Sequence, residues 1–114
     1  MDRSTQIDEL ISRHEIYEVL TRYCRGVDRC DVELIRSVYH EDAMDDHGMF
    51  KGLGVQFAQW IVDWEKANIK LSQHFIGNFT CELQTHGDRQ LPRGARRWER
   101  IRRTVKLLVL ILRR

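Results

Sequence analysis

Two residues of this 114-residue chain have the types that general acid–base chemistry needs. Asp28 stands in Arg22-Tyr23-Cys24-Arg25-Gly26-Val27-Asp28-Arg29-Cys30-Asp31, just past the expected end of a long amphipathic helix. His74 stands in Gln73-His74-Phe75-Ile76-Gly77-Asn78, a strand-like run. A carboxylate that orients an imidazole, and an imidazole that moves a proton near neutral pH, form the smallest kit for such work. Taken singly, neither is distinctive. An aspartate after a helix commonly bonds local amides, and a lone histidine in a strand is by default a satisfied core or surface residue. The expectation is that the two meet, and that the ordered chain builds a pocket around them.

The elements that would bring them together can be read from hydrophobic spacing. Ile7, Leu10, Ile11, Ile16, Val19, Leu20 and Tyr23 recur at three-four intervals, with a phase slip near Arg13-His14. They predict a helix over residues 5–25, capped by Ser4 or Thr5 and stopped by Gly26. Asp31 then caps a second, shorter helix with Val32, Leu34, Ile35, Val38 and Tyr39 on its apolar side. Ala43 to Asp46 reads as a short strand, turning at His47-Gly48 and returning through Met49 to Gly52. A third helix is expected from Leu53 or Gly54 to Asn68, where Phe57, Trp60, Ile61 and Trp64 make one broad face. Residues 69–83 alternate, placing Ser72, His74, Ile76, Asn78 and Thr80 on one side and Phe75 and Phe79 on the other. That predicts a long strand with Gly77 as a bulge or close approach.

Other side chains invite chemistry and have simpler readings. Asp42, Asp45, Asp46 and His47 offer carboxylates and an imidazole to a divalent ion. Their spacing fits no known metal loop, so a solvated turn is the better account. Tyr23 and Tyr39 lie on apolar helix sides, where core packing with a wet hydroxyl competes with catalysis. Phe57, Trp60 and Trp64 suit a helix face against a sheet. Cys24 has no activating base in view and reads as inert.

Composition bounds the rest. Hydrophobic residues make up 42% and charged residues 32%, as in a soluble single domain. The polar, acidic N-terminus does not read as a leader, and the longest apolar run, Leu107 to Leu112, is too short to span a membrane. Three cysteines without Cys-x-x-Cys spacing argue against a disulfide framework or structural zinc, and for reduced thiols in a cytoplasm. The net charge of +2 conceals a split. Residues 88–114 carry ten Lys/Arg against two Asp/Glu, while residues 1–87 are net acidic. Residue 87 is therefore a composition boundary. Beyond it, strong helix formers over residues 93–112 point to a helix, with a buried strand as the alternative.

In order along the chain, Tyr23 to Asp31, Val38-Tyr39-His40-Glu41-Asp42-Ala43, Phe50-Lys51-Gly52 and Gln73 to Asn78 resemble the SnoaL-like family. That family belongs to the nuclear-transport-factor-2-like (cystatin-like) superfamily, alongside scytalone dehydratase and lindane dehydrochlorinase. The resemblance covers about residues 5–87. It implies an α+β cystatin-like cone: three N-terminal helices packed on a curved antiparallel sheet, with the C-terminal strands missing or replaced by a basic tail. A sheet cut short in this way would leave an open strand edge, which association or the apolar tail would cover.

The resemblance also implies roles. It places Asp28 and His74 at the positions of an acid–histidine dyad, with His74 taking a proton from carbon. Tyr23 and Tyr39 fall near hydroxyls that polarise a carbonyl or leaving group. The implied function is a dehydratase-type lyase or isomerase acting on a small hydrophobic or polycyclic substrate, without metal or organic cofactor. Its pocket would be lined by Tyr23, Tyr39, Phe57, Trp60 and Ile76, and the chain would assemble as a dimer or trimer. The same superfold hosts non-catalytic ligand-binding and oligomerisation modules, which is the alternative. A third reading takes the basic tail, with Trp98, as a binder of nucleic acid or anionic lipid; the acidic first 87 residues count against it.

Residues 88–114 match no expected strand of that family. They are either a divergent C-terminus or a GC-rich coding sequence read out of frame, which enriches arginine. Translating the other frames of the gene separates the two: alternating strand sequence in a shifted frame supports the second, and its absence there removes it.

Overall fold

The computed structural model describes residues 2–83 and the backbone of residues 109–113. Their elements are α1 (Arg3–Asp28), α2 (Val32–Arg36), β1 (Met44–Asp46), β2 (Lys51–Leu53), α3 (Gly54–Asn68), β3 (Ser72–Ile76) and β4 (Val109–Arg113). The class is α+β, with three helices as expected. The described strands form two separate two-stranded antiparallel sheets, β1 with β2 and β3 with β4, where one curved sheet was expected.

The opening helix begins and ends beyond its expected limits. Asp2, not Ser4 or Thr5, supplies the cap: its carboxylate accepts the Thr5 N–H at 2.8 Å, a bond that holds the carboxyl below its usual range. At the other end α1 runs straight through Gly26 to Asp28. Glycine is there for space. A Cβ on Gly26 would stand 2.7 Å from Ile35 Cγ1 and 3.1 Å from the Ile35 backbone nitrogen, so its absence lets α2 lie against α1. The left-handed residue that turns the chain is Cys30, at φ 52°. The Asp31 N–H closes that turn on the Gly26 carbonyl at 2.8 Å.

Asp31 caps α2 as its position predicts, accepting the Leu34 N–H at 3.0 Å. The β1–β2 hairpin pairs Met44 with Leu53, Asp45 with Gly52 and Asp46 with Lys51. Its loop is closed by the His47 N–H on the Phe50 carbonyl, with Gly48 at φ 77°. Helix α3 follows β2 without a linker. Strand β3 covers five residues of the longer strand expected over 69–83.

The apolar tail segment is a strand where a helix was favoured. Val109–Arg113 pairs antiparallel with β3, Ile76 opposite Val109 and Ser72 opposite Arg113. Valine and isoleucine suit a pleated surface, and an open β3 edge supplies backbone partners that a lone helix end would lack. The rest of the expected 93–112 helix lies outside the described residues.

The chain divides into two compact units, residues 1–18 with 78–108 and residues 19–77 with 109–114. In the first, Ile16 and Cys81 are buried, Tyr17 meets Phe79 edge-on at 5.2 Å, and the Arg13 guanidinium donates to the Cys81 carbonyl. In the second, Val27, Ile35, Ala58 and Val62 form the core, joined by Tyr23, Cys30, Val32, Tyr39 and Ile61. Residues from α1, α2 and α3 thus meet in one cluster.

Two glycines test this packing. Gly26→Ala gains the roughly 0.5–1 kcal/mol that alanine offers inside a helix, but overpacking against a backbone atom costs about 1–3 kcal/mol. Gly54→Ala sets a Cβ 2.0 Å from Tyr39 Cδ1 and should cost more. Thermal unfolding should show both melting lower, the second by the larger margin. Gly77→Ala, with nothing within 4 Å of its Cβ, should melt close to the parent.

Candidate active site

Helix α1 delivers Asp28 at its last residue, and β3 delivers His74 at its centre. They are hydrogen-bonded: His74 Nδ1 lies 2.5 Å from Asp28 Oδ1. The same carboxylate accepts the His74 backbone N–H at 2.8 and 3.0 Å, and the Ser72 hydroxyl at 3.2 Å. Backbone and ring of one residue are thus fixed by one acceptor. The His74 side chain is only 5% exposed and that of Asp28 18%. With Nδ1 committed to the carboxylate, Nε2 is the ring nitrogen that remains to act on a ligand proton.

His74 opens on a cavity of about 250 Å³, just under the roughly 300–1,000 Å³ range of ligand sites. Tyr23, Val27, His47, Met49, Phe57, Trp60, Ile61, Trp64 and Glu65 complete its wall. Aromatic rings dominate. Tyr23 meets His74 edge-on at 6.0 Å, Tyr23 and Phe57 stack at 6.5 Å, and Trp60 stacks on Trp64 at 6.5 Å.

Of the residues expected in the lining, Tyr23, Phe57 and Trp60 are there, while Tyr39 and Ile76 are not. The Tyr39 ring lies over Gly54, behind Phe57, and its hydroxyl donates to Asp45 Oδ2 at 2.5 Å. Ile76 shares His74's side of β3 but sits two residues further along, about 7 Å away.

Six lining residues stand outside the expected set: the apolar Val27, Ile61 and Trp64, and with them Glu65, Met49 and His47. Glu65 sits one residue past Trp64 on the apolar stripe of α3 and is 4% exposed; a carboxylate within such a stripe was the available signal. Met49 left none. His47 belongs by composition to a solvated turn. In the fold its ring lies flat on Phe57, centroids 3.9 Å apart and planes within 1°, and its Nε2 is 2.8 Å from Asp45 Oδ2.

The acidic cluster does not act as one set. Asp45 serves His47 and Tyr39, whereas Asp46 accepts the Gly48 N–H at 2.9 Å. Among the described residues, no group of three or more His, Cys, Asp or Glu side chains is placed to hold a metal ion.

Burial sets the acidity of the other groups. It raises the Tyr23 phenol well above its usual value, with the Asp45 and Glu65 charges adding to the effect. It raises Tyr39 likewise, helped by the bond to Asp45. It pushes the Cys24 thiol up to about 11, with the Asp28 charge adding, which leaves Cys24 unreactive. For Asp45, burial works toward the neutral acid. Bonds from His47 and Tyr39, the His47 charge and the Asp46 amide outweigh it, so the carboxyl titrates below its ordinary range.

Residues 8–103 match the SnoaL-like domain family, and the chain belongs to that family. The match extends past residue 87 into the basic segment. No curated protein and no solved structure matches the chain. No helix among the described residues is long and apolar enough to cross a membrane.

The depressed Asp45 gives a pH signature. A carboxyl whose folded pKa lies below its unfolded value, about 3.9, stabilises the fold above that value. The contribution is lost as pH falls through the folded pKa. Denaturant unfolding from pH 6 down to pH 2 should therefore show a steeper acid loss in the parent than in Asp45→Asn.

Proposed function

We propose that this chain is a small-molecule lyase or isomerase of the dehydratase type, in which His74 Nε2 removes a carbon-bound proton from a ligand in the aromatic cavity. The observation that carries this reading is the 2.5 Å Asp28–His74 bond at the wall of that cavity. Asp28 fixes the tautomer and orientation of the imidazole and stabilises the imidazolium formed on proton uptake. Asp28 and His74 are themselves largely shielded from solvent, so the charge of Asp28 acts on the ring with little screening. The family match supports a fold that holds small molecules, as enzymes or as binding modules. Here the bonded acid–imidazole pair favours the enzyme, since a cavity needed only to hold an apolar ligand gains nothing from a buried carboxylate.

A cavity of about 250 Å³ suits a ligand of one or two rings better than a larger polycycle. Flat rings would lie against Trp60 and Trp64, leaving an acidic C–H to face His74. The family resemblance extends the proposal to a dimer or trimer working without organic cofactor.

Carbon-acid chemistry leaves a direct trace. One- and two-ring ketones, indan-1-one among them, incubated with protein in D₂O should exchange the protons next to the carbonyl, followed by proton NMR. Exchange should fall by about 10²-fold or more in His74→Gln and in Asp28→Asn, with far-UV circular dichroism unchanged. Equal exchange in His74→Gln, or none by the parent across the set, overturns the proposal.

A further inference from the structure

Helix α3 puts a carboxyl group where packing alone calls for carbon. Phe57, Ile61, Trp64 and Glu65 fall on the helix face that lines the cavity, and Glu65 is 4% exposed. Leucine or methionine at that position would fill the stripe without taking a polar group out of water. Glu65 therefore carries a desolvation cost that its apolar neighbours do not, and it carries it at the wall of a hollow.

The rest of the wall agrees with it in sign. Among the described residues, no lysine or arginine lines the cavity. Its two histidines are each bonded to a carboxylate, His74 to Asp28 and His47 to Asp45. An imidazole–carboxylate pair sums to zero or to minus one according to the state of the ring, never to a positive charge. The Glu65 charge also reaches Tyr23, where it adds to the burial that holds the phenol above its usual value. Trp64, the residue before Glu65, stacks on Trp60 with centroids 6.5 Å apart, and both indoles line the cavity. Indole faces carry the negative side of the ring quadrupole and attract cations. An anionic ligand finds no counter-charge on this wall, whereas a cation meets a carboxyl group and two indoles.

We propose that Glu65 is the specificity-determining residue of this cavity, and that its ligands are one- or two-ring amines bound as ammonium ions. From the proposed function this takes only the cavity as the ligand site, and it does not require proton abstraction. The ammonium N–H donates to the Glu65 carboxylate while the ring lies along Trp60 and Trp64. A carboxyl group has about four lone-pair directions, so a bond that Glu65 makes within the fold leaves others for the ligand. A neighbouring opposite charge favours the ionised carboxyl, so the ammonium itself secures the pair. Where the base reading holds as well, the amine fixes which C–H of the ligand faces His74.

Three indane probes of nearly one shape separate charge from size. They are 2-aminoindane, a cation at neutral pH, the uncharged 2-indanol, and the anion indane-2-carboxylate. Calorimetric titration of the parent should rank them in that order, with the ammonium about tenfold or more tighter than the alcohol. Glu65→Gln keeps the shape of the side chain without its charge, and should cut the ammonium-to-alcohol affinity ratio by about tenfold. Trp64→Leu should lower the same ratio more weakly. A parent that binds the alcohol or the carboxylate as tightly as the ammonium, or binds none of the three, overturns the proposal. So does a folded Glu65→Gln protein that keeps the parent's ratio. Deuterium exchange into indan-1-one tells the two readings apart. A parent that exchanges the ketone without preferring the ammonium keeps the base and loses this ligand class. One that prefers the ammonium without exchanging the ketone keeps the ligand class and loses the base.

Discussion

The structure of the site depends on one carboxylate with four demands on it. Asp28 takes the His74 ring N–H, the His74 main-chain N–H through both its oxygens, and the Ser72 hydroxyl. An ionised carboxylate has about four lone-pair directions, and these contacts use most of them. Because ring and backbone of the same residue are bound to the same acceptor, His74 cannot swing without giving up a charge-assisted bond. A helix end and a strand centre, forty-six residues apart in sequence, are thereby held in one geometry. The alternative for Asp28 would be a carboxylate left largely dry and unpaired, which is costly.

Several features around that carboxylate were legible because they are local. The Asp31 cap, the limits of α3, the hairpin at His47-Gly48 and the period-two placement of His74 each follow from spacing within a few residues. The Asp28–His74 pairing was legible only through the order of motifs, since nothing in a carboxylate's own neighbourhood names a distant strand. Tyr23, Phe57 and Trp60 reached the cavity because each was the aromatic member of an apolar helix face.

What failed to show involved tertiary contact or competition. Gly26 has the residue type of a helix stop, but the close approach of Ile35 gives it a different task, and Cys30 makes the turn in its place. The Leu107–Leu112 run has no clean period, so only an available partner edge decides its state, and over Val109–Arg113 β3 supplies that edge. His47 stands in a polar turn, which by composition belongs to solvent. Its contact with Phe57 depends on α3 starting directly after β2, a closeness that hairpin composition does not carry. Tyr39 was placed in the lining by its helix face, yet Gly54 offers its ring a closer seat and Asp45 offers its hydroxyl a partner.

The same backbone accounting explains how β3 and β4, the two strands of this sheet among the described residues, support the site. In an antiparallel pair, the N–H groups of successive residues point alternately toward and away from the partner strand. The His74 N–H is bound to Asp28, so it points away from β4, and the amides of Gln73 and Phe75 are the ones aimed at β4. On its far edge β3 would ordinarily need another strand's carbonyl at His74. Asp28 takes that place with a side chain, which turns an edge donor into the anchor of the imidazole. A further strand on that edge would satisfy the amide and displace the carboxylate from it, removing the contact that fixes the ring. Among the described residues, the sheet and the acid–imidazole pair are therefore one arrangement: leaving that edge position of β3 to a side chain is what gives Asp28 its hold on His74.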